Sequence, residues 1–160
     1  MSSDNCDFCA IARGTSKAEI ICEGEHWVAF FPLEPATPGH TLVIPREHIK
    51  DLWSVDSATG RELMDAVINV GRAIEAALEP DGLNLITSAG AAAEQTVPHL
   101  HLHVVPRWSD DGFGDLWPPK TPLRREMKHD AAARIRAACA PGSPTETTSS
   151  VAEDGGDDQG

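Results

Sequence analysis

The order of short β-prone runs, tight turns and one long amphipathic stretch predicts a mixed strand and helix domain built from antiparallel hairpins. Three observations carry this. The run His99-Leu100-His101-Leu102-His103-Val104-Val105 alternates imidazoles with aliphatic side chains, the period of a β-strand. Leu63, Val67, Val70, Ile74 and Leu78 recur at helical spacing. Glu19 to Glu23 and Trp27 to Phe31 are rich in β-branched and aromatic residues and flank a turn at Gly24, which reads as an antiparallel pair.

Taken in order, the chain opens with Cys6-x-x-Cys9, a spacing suited to a metal or a redox pair. The first hairpin follows. Leu33 to Gly39 contains Pro35, Pro38 and Gly39, and reads as a rigid loop that delivers His40 to a strand over Thr41 to Ile44, closed by Pro45. Asp56 or Ser57 can cap the long helix, which should end near Pro80. Leu83 to Thr87 is the next strand, Ser88 to Glu94 a loop of small residues, and the histidine strand from His99 to Val105 completes a second hairpin. Trp108 to Pro122 is rich in Asp, Gly and Pro and should be irregular, whereas Arg125 to Cys139 has the alanine content of a terminal helix. Residues 1–140 are read as one domain. The tail, 141–160, holds five acids and no base, and Val151 is its one large apolar residue, so it is read as a disordered acidic appendage.

At 160 residues and 41% hydrophobic content the chain can bury one conventional core. Its net charge of −12, with no dense basic patch, argues against nucleic acid and anionic membranes as partners. Small-molecule chemistry is favoured. No apolar leader follows Met1 and no apolar run is long enough to span a bilayer, which reads as a cytoplasmic protein. Four cysteines in that setting are no disulfide framework, and Cys22 and Cys139 read as ordinary thiols.

Strict alternation would place His99, His101 and His103 on one face, with Leu100, Leu102 and Val104 turned into the core. Three buried polar rings would each need a partner, so a functional row is the better reading. Alternating imidazoles suit a nucleophilic site and suit zinc equally. The residues alone leave both open.

His40-Thr-Leu-Val-Ile-Pro, Gln95-Thr96-Val97 and His99-x-His101-x-His103, with the Pro38-Gly39 approach and the Pro106-Arg107 exit, resemble the histidine-triad family of nucleotide-binding hydrolases and transferases. The likeness covers roughly residues 6 to 107. It implies an α+β fold, an antiparallel sheet flanked by helices, and a homodimer. It further implies that His101 attacks the α-phosphorus of a purine nucleotide conjugate, such as a nucleoside phosphoramidate or dinucleoside polyphosphate. One ring nitrogen would attack while the other is held by a backbone carbonyl, and water would cleave the resulting nucleotidyl-histidine. His103 and His40 would lie beside the phosphate and the nucleophile, with Gln95, Thr96 and Ser88 as hydrogen-bonding groups for the substrate.

A zinc-containing subset of the family is similar through Cys6-x-x-Cys9, Pro45-x-x-His48 and His99. That likeness implies a closed site of Cys6, Cys9, His48 and His99, structural because no coordination position stays open, with no metal in the chemical step. The chain also departs from the family pattern. Pro32 stands where an acid or amide commonly holds ribose hydroxyls, Glu94 where glycine is usual, and Ser88 where a second asparagine is usual. Glu34 lies close to Pro32. The leading reading is the enzyme, and these departures are the features that support the alternative, a nucleotide-binding or interaction protein with negligible turnover. A zinc hydrolase using the histidine row as catalytic ligands is disfavoured by the cysteine pair.

Overall fold

The computed structural model describes residues 5–119 and 122–139. They fall into two compact units, the first ending at Asp115 and the second beginning at Leu116. The expected acidic tail, 141–160, lies outside the described residues.

The first unit is a five-stranded antiparallel sheet with a helix on each face. Its elements are α1 (Asp7–Ala12), β1 (Ile20–Glu23), β2 (Trp27–Phe30), β3 (Thr41–Pro45), α2 (Ser57–Leu78), β4 (Gly82–Ile86) and β5 (Leu102–Arg107). The strand order is β1-β2-β3-β5-β4, so β4 and β1 are the edges. Both expected hairpins are present, with Glu23 opposite Val28 between β1 and β2, and Leu85 opposite Val104 between β4 and β5.

Two apolar clusters explain why β3 is buried along its whole length. Val43 faces the α2 cluster with Leu63, Val67, Val70, Ile74, Leu102 and Val104, while Leu42 and Ile44 face the other side with Phe30, Phe8 and Ile11 of α1. Strand alternation thus gives each face its own helix. The helix α2 starts where Asp56 accepts hydrogen bonds from the Ala58 and Thr59 amides, at 2.8 and 3.0 Å. Its predicted core stripe is buried from Leu63 to Ile74, but Leu78 is 41% exposed. Leu78 instead flanks Gly39, where φ is +82° and an added Cβ would meet its Cδ1 at 2.5 Å. Glycine is therefore required at the residue that delivers His40.

The sequence reading did not anticipate α1. Six residues form too short a helix to persist alone, and its C-terminal end is held by Arg46, whose guanidinium donates to the carbonyls of Ala12 (2.6 Å) and Gly24 (3.1 Å). The histidine strand also begins later than expected. His99, Leu100 and His101 precede β5, because the Leu100 amide donates to Ile49 (2.6 Å) and Thr87 Oγ1 donates to the His101 carbonyl (2.9 Å) in place of a regular ladder. After β5, Asp111 accepts from Arg107 and from the Trp108 and Phe113 amides, which closes the turn and holds its carboxyl well below the usual carboxylate range.

In the second unit α3 (Arg125–Ala138) has no buried residue, and Arg134 lies 3.9 Å from Asp130 one turn away. Among the described residues no helix is long and apolar enough to cross a membrane.

Glu79, the C-cap of α2, has φ +48°, a left-handed conformation that costs a side-chain-bearing residue about 1 kcal/mol relative to glycine. Glu79→Gly should raise the unfolding free energy by about that amount in urea titrations. An unchanged or lower midpoint would contradict this account of the cap.

Candidate active site and metal centre

Three imidazoles meet where β3 and β5 lie beside each other: His40 just before β3, His101 just before β5 and His103 within it. His40 Nε2 lies 2.9 Å from His103 Nδ1, and the His101 and His103 rings are 5.0 Å apart in an edge-to-face arrangement. The protons can be assigned from obligate partners. The Ala36 amide donates to His40 Nδ1 (3.0 Å), so neutral His40 carries its proton on Nε2 and donates it to His103 Nδ1. Neutral His103 then carries its own proton on Nε2. His101 Nδ1 donates to the His99 carbonyl at 2.7 Å, which leaves Nε2 with its lone pair free.

Burial favours the neutral form of His103 and His40. His103 is lowered to about 4, first by desolvation and then by the His101 and His40 charges, and His40 is lowered by desolvation. With His101 Nδ1 committed to the His99 carbonyl, its Nε2 is placed to attack while neutral His103 is placed to donate.

His101 and His103 line a cavity of about 600 Å³, within the range of small-ligand sites. Phe8, Ile11, Phe30 and Leu42 form an apolar wall, and Lys17, Glu19, Pro32 and Thr96 lie among its other lining residues. Gln95 is not among them: its Nε2 donates to the Lys50 (2.7 Å) and Val97 (3.1 Å) carbonyls, and its Oε1 accepts from the Gly90 amide. It therefore ties down the loop carrying Thr96. Ser88, half-buried after β4, and the exposed Glu34 and Glu94 do not line the cavity either.

The expected single row of three histidines divides in two. His99 is fully buried and faces the thiols rather than the cavity, since it lies before β5 and escapes the strand's alternation. Cys6 Sγ and Cys9 Sγ lie 3.5 and 3.4 Å from His99 Nδ1, and Cys9 Sγ lies 3.2 Å from His48 Nδ1. All four ligand atoms fall within 4.8 Å of one another, so the cluster could hold a metal ion. Bonds of ~2.0–2.3 Å at tetrahedral angles put ligand atoms roughly 3.3–3.8 Å apart, close to the separations found here. His99 Nε2 donates to the Pro45 carbonyl at 2.9 Å, which turns the Nδ1 lone pair toward the thiols and orients the ring. Desolvation lowers His99 to about 4 and keeps it in the neutral, ligating form.

A HIT domain family model matches residues 13–110, and the chain belongs to that family. Protein hit of Bacillus subtilis is 39% identical over 116 residues, which are 72% of this chain and 80% of that protein. Adenylylsulfatase HINT3 of Arabidopsis thaliana is 30% identical over 136 residues, 85% of this chain and 68% of its own. Among solved structures, a HIT family protein from Bacillus subtilis superposes with a TM-score of 0.77 at 36% identity, covering 85% of this chain and 98% of that one. A zinc-bound histidine triad family protein from Mycobacterium smegmatis gives 0.67 at 36% identity, covering 86% and 99%. The α+β fold that the histidine motif implied is thus the fold of these relatives.

The unfolded chain returns His103 to the ordinary imidazole value of 6.5, so between that pH and about 4 it binds more protons than the folded chain. Stability from this ring is complete above pH 6.5 and lost as pH falls toward 4. The melting temperature should decline across that window, and His103→Asn should flatten part of the decline. An equal slope in the variant would remove His103 from the cause.

Proposed function

We propose that the protein is a nucleotide hydrolase or nucleotidyl transferase that acts at the α-phosphate of a purine nucleotide conjugate through a covalent intermediate on His101. The observation that carries this is the commitment of His101 Nδ1 to the His99 carbonyl, with Nε2 free at a cavity that His103 also lines. The Nε2 lone pair forms the bond to phosphorus, and the bond to the leaving group breaks with its electron pair on the departing phosphate or amine, an amine taking the His103 Nε2 proton as it leaves. Water then attacks the nucleotidyl-histidine, gives one proton back to His103, releases the nucleoside monophosphate and restores the imidazole. The proton on His103 Nε2 is available to a phosphoryl oxygen where negative charge develops, with the Thr96 hydroxyl as a second donor. His40 holds His103 in that tautomer. Gln95 contributes by fixing the Thr96 loop, and Ser88, half-buried after β4 and outside the cavity lining, has only the substrate contact that the family motif implies. The adenylylsulfatase relative supports an adenylyl conjugate as the substrate class.

A zinc ion held by Cys6, Cys9, His48 and His99 would be structural, because four protein ligands close its coordination and the cluster faces away from the cavity. Two copies would pair through the open β4 edge, where Leu83 and Leu85 are 42% and 41% exposed. The four cysteines fit a reducing, cytoplasmic setting, and the charge of −12 fits small-molecule rather than nucleic-acid or membrane partners. Residues 1–140 would carry this activity and the acidic tail would be dispensable. A second reading, nucleotide binding with negligible turnover, draws on Pro32 in the cavity wall and on Gln95 spending its amide donors internally.

His101→Ala should abolish turnover of an adenosine phosphoramidate while calorimetry still detects AMP binding, because the cavity wall and other donors remain. Near-wild-type turnover would remove the covalent step, and wild-type binding without any turnover would favour the second reading. Metal analysis should find about one zinc per chain, lost together with thermal stability in a Cys6→Ser/Cys9→Ser variant. Zinc-free protein from zinc-replete growth would refute the site.

A further inference from the structure

We propose that Phe8 is a positioning residue for His101, held in place by the two thiols that flank it in sequence. The inference rests on the reading of His101 as the nucleophile.

His101 must keep Nε2 free for substrate, so a single ring hydrogen bond, Nδ1 to the His99 carbonyl, sets its orientation. One hydrogen bond leaves the ring able to turn about its Cβ–Cγ bond unless packing prevents it. Two rings pack against it. His103, 5.0 Å away, is itself held by His40. Phe8 presents the other contact, at 5.3 Å between centroids and 86° between planes, the edge-to-face geometry favoured by aromatic pairs. The same Phe8 ring meets Phe30 at 5.5 Å and His99 at 6.0 Å, so it is wedged among three rings.

What fixes Phe8 is the anchoring of α1 rather than helix propensity, since six residues cannot hold a helix in water. Cys6 and Cys9 bracket Phe8 and lie against His99 and His48, and Arg46 ties the far end at the Ala12 carbonyl. Two routes therefore run from the four-ligand cluster to the nucleophile. One is the His99 carbonyl on Nδ1, and the other is the Phe8 ring packed at right angles to the imidazole. Phe8 also lines the cavity, so a role only as cavity wall is the rival the experiment must separate.

The test uses the full-length, zinc-loaded chain with 15N-labelled histidine, read by NMR for the His101 tautomer, beside kcat and KM on adenosine phosphoramidate. Wild type should show a single Nδ1–H tautomer. Phe8→Leu, which keeps apolar bulk without a ring edge, should retain its zinc, show a mixture of tautomers, and lose about tenfold or more in kcat with a smaller change in KM. Phe8→Tyr restores the edge and should restore both. The Cys9→Ser chain and the chelated wild type should show the same mixture without any substrate present. An unmixed Nδ1–H signal in Phe8→Leu or in the chelated chain overturns the proposal, as does a change confined to KM. If Phe8→Leu fails to fold, the chelated wild-type spectrum decides alone. Absence of turnover in wild type, with the tautomer still dependent on Phe8, would sink the enzymatic reading and leave the positioning role intact.

Discussion

The backbone carbonyl of His99 is the pivot of this molecule. It accepts the Nδ1 proton of His101 at 2.7 Å, while the ring of the same residue turns away to face Cys6 and Cys9. Its Nε2 is spent on the Pro45 carbonyl, at the end of the central strand β3. One fully buried residue thus joins the sheet, the four-ligand cluster and the candidate nucleophile. A proton placed on the other nitrogen of His101 would lose the carbonyl and point no lone pair at the substrate.

The sheet supports this by having two different faces. The α2 face is a buried aliphatic core whose helix is capped by Asp56. The α1 face is thin, because its helix is six residues long and owes its position to Arg46 and to the cysteines. The candidate site sits on the thin face. A cavity lined by Phe8, Phe30 and His103 exists there because α1 covers only part of the sheet.

Much of this arrangement was legible in the chain, and the limits have physical causes. Period-two and helical spacings located β2, β3, α2 and the β4–β5 hairpin, since each buries one regular face. Strand periodicity misled at His99, where hydrogen bonds from Leu100 to Ile49 and from Thr87 to His101 replace the ladder and let successive histidines serve different sites. The four-ligand cluster was readable from the resemblance, and the geometry brings Cys6, Cys9, His48 and His99 together. The helix α1 was missed because its signal, Phe8, Ile11 and Ala12 at i, i+3 and i+4, spans a single turn. Gln95 was read as a phosphate donor from its place in the motif, but no sequence pattern tells that its amide closes on Lys50, forty-five residues away.

The central claim is that His101 Nε2 forms a bond to phosphorus before water does. The stereochemical course at an isotopically chiral α-phosphate tests it most directly, because each in-line displacement inverts the centre. Attack by His101 followed by water predicts overall retention of configuration. Inversion would mean one direct displacement by water, and would contradict the account.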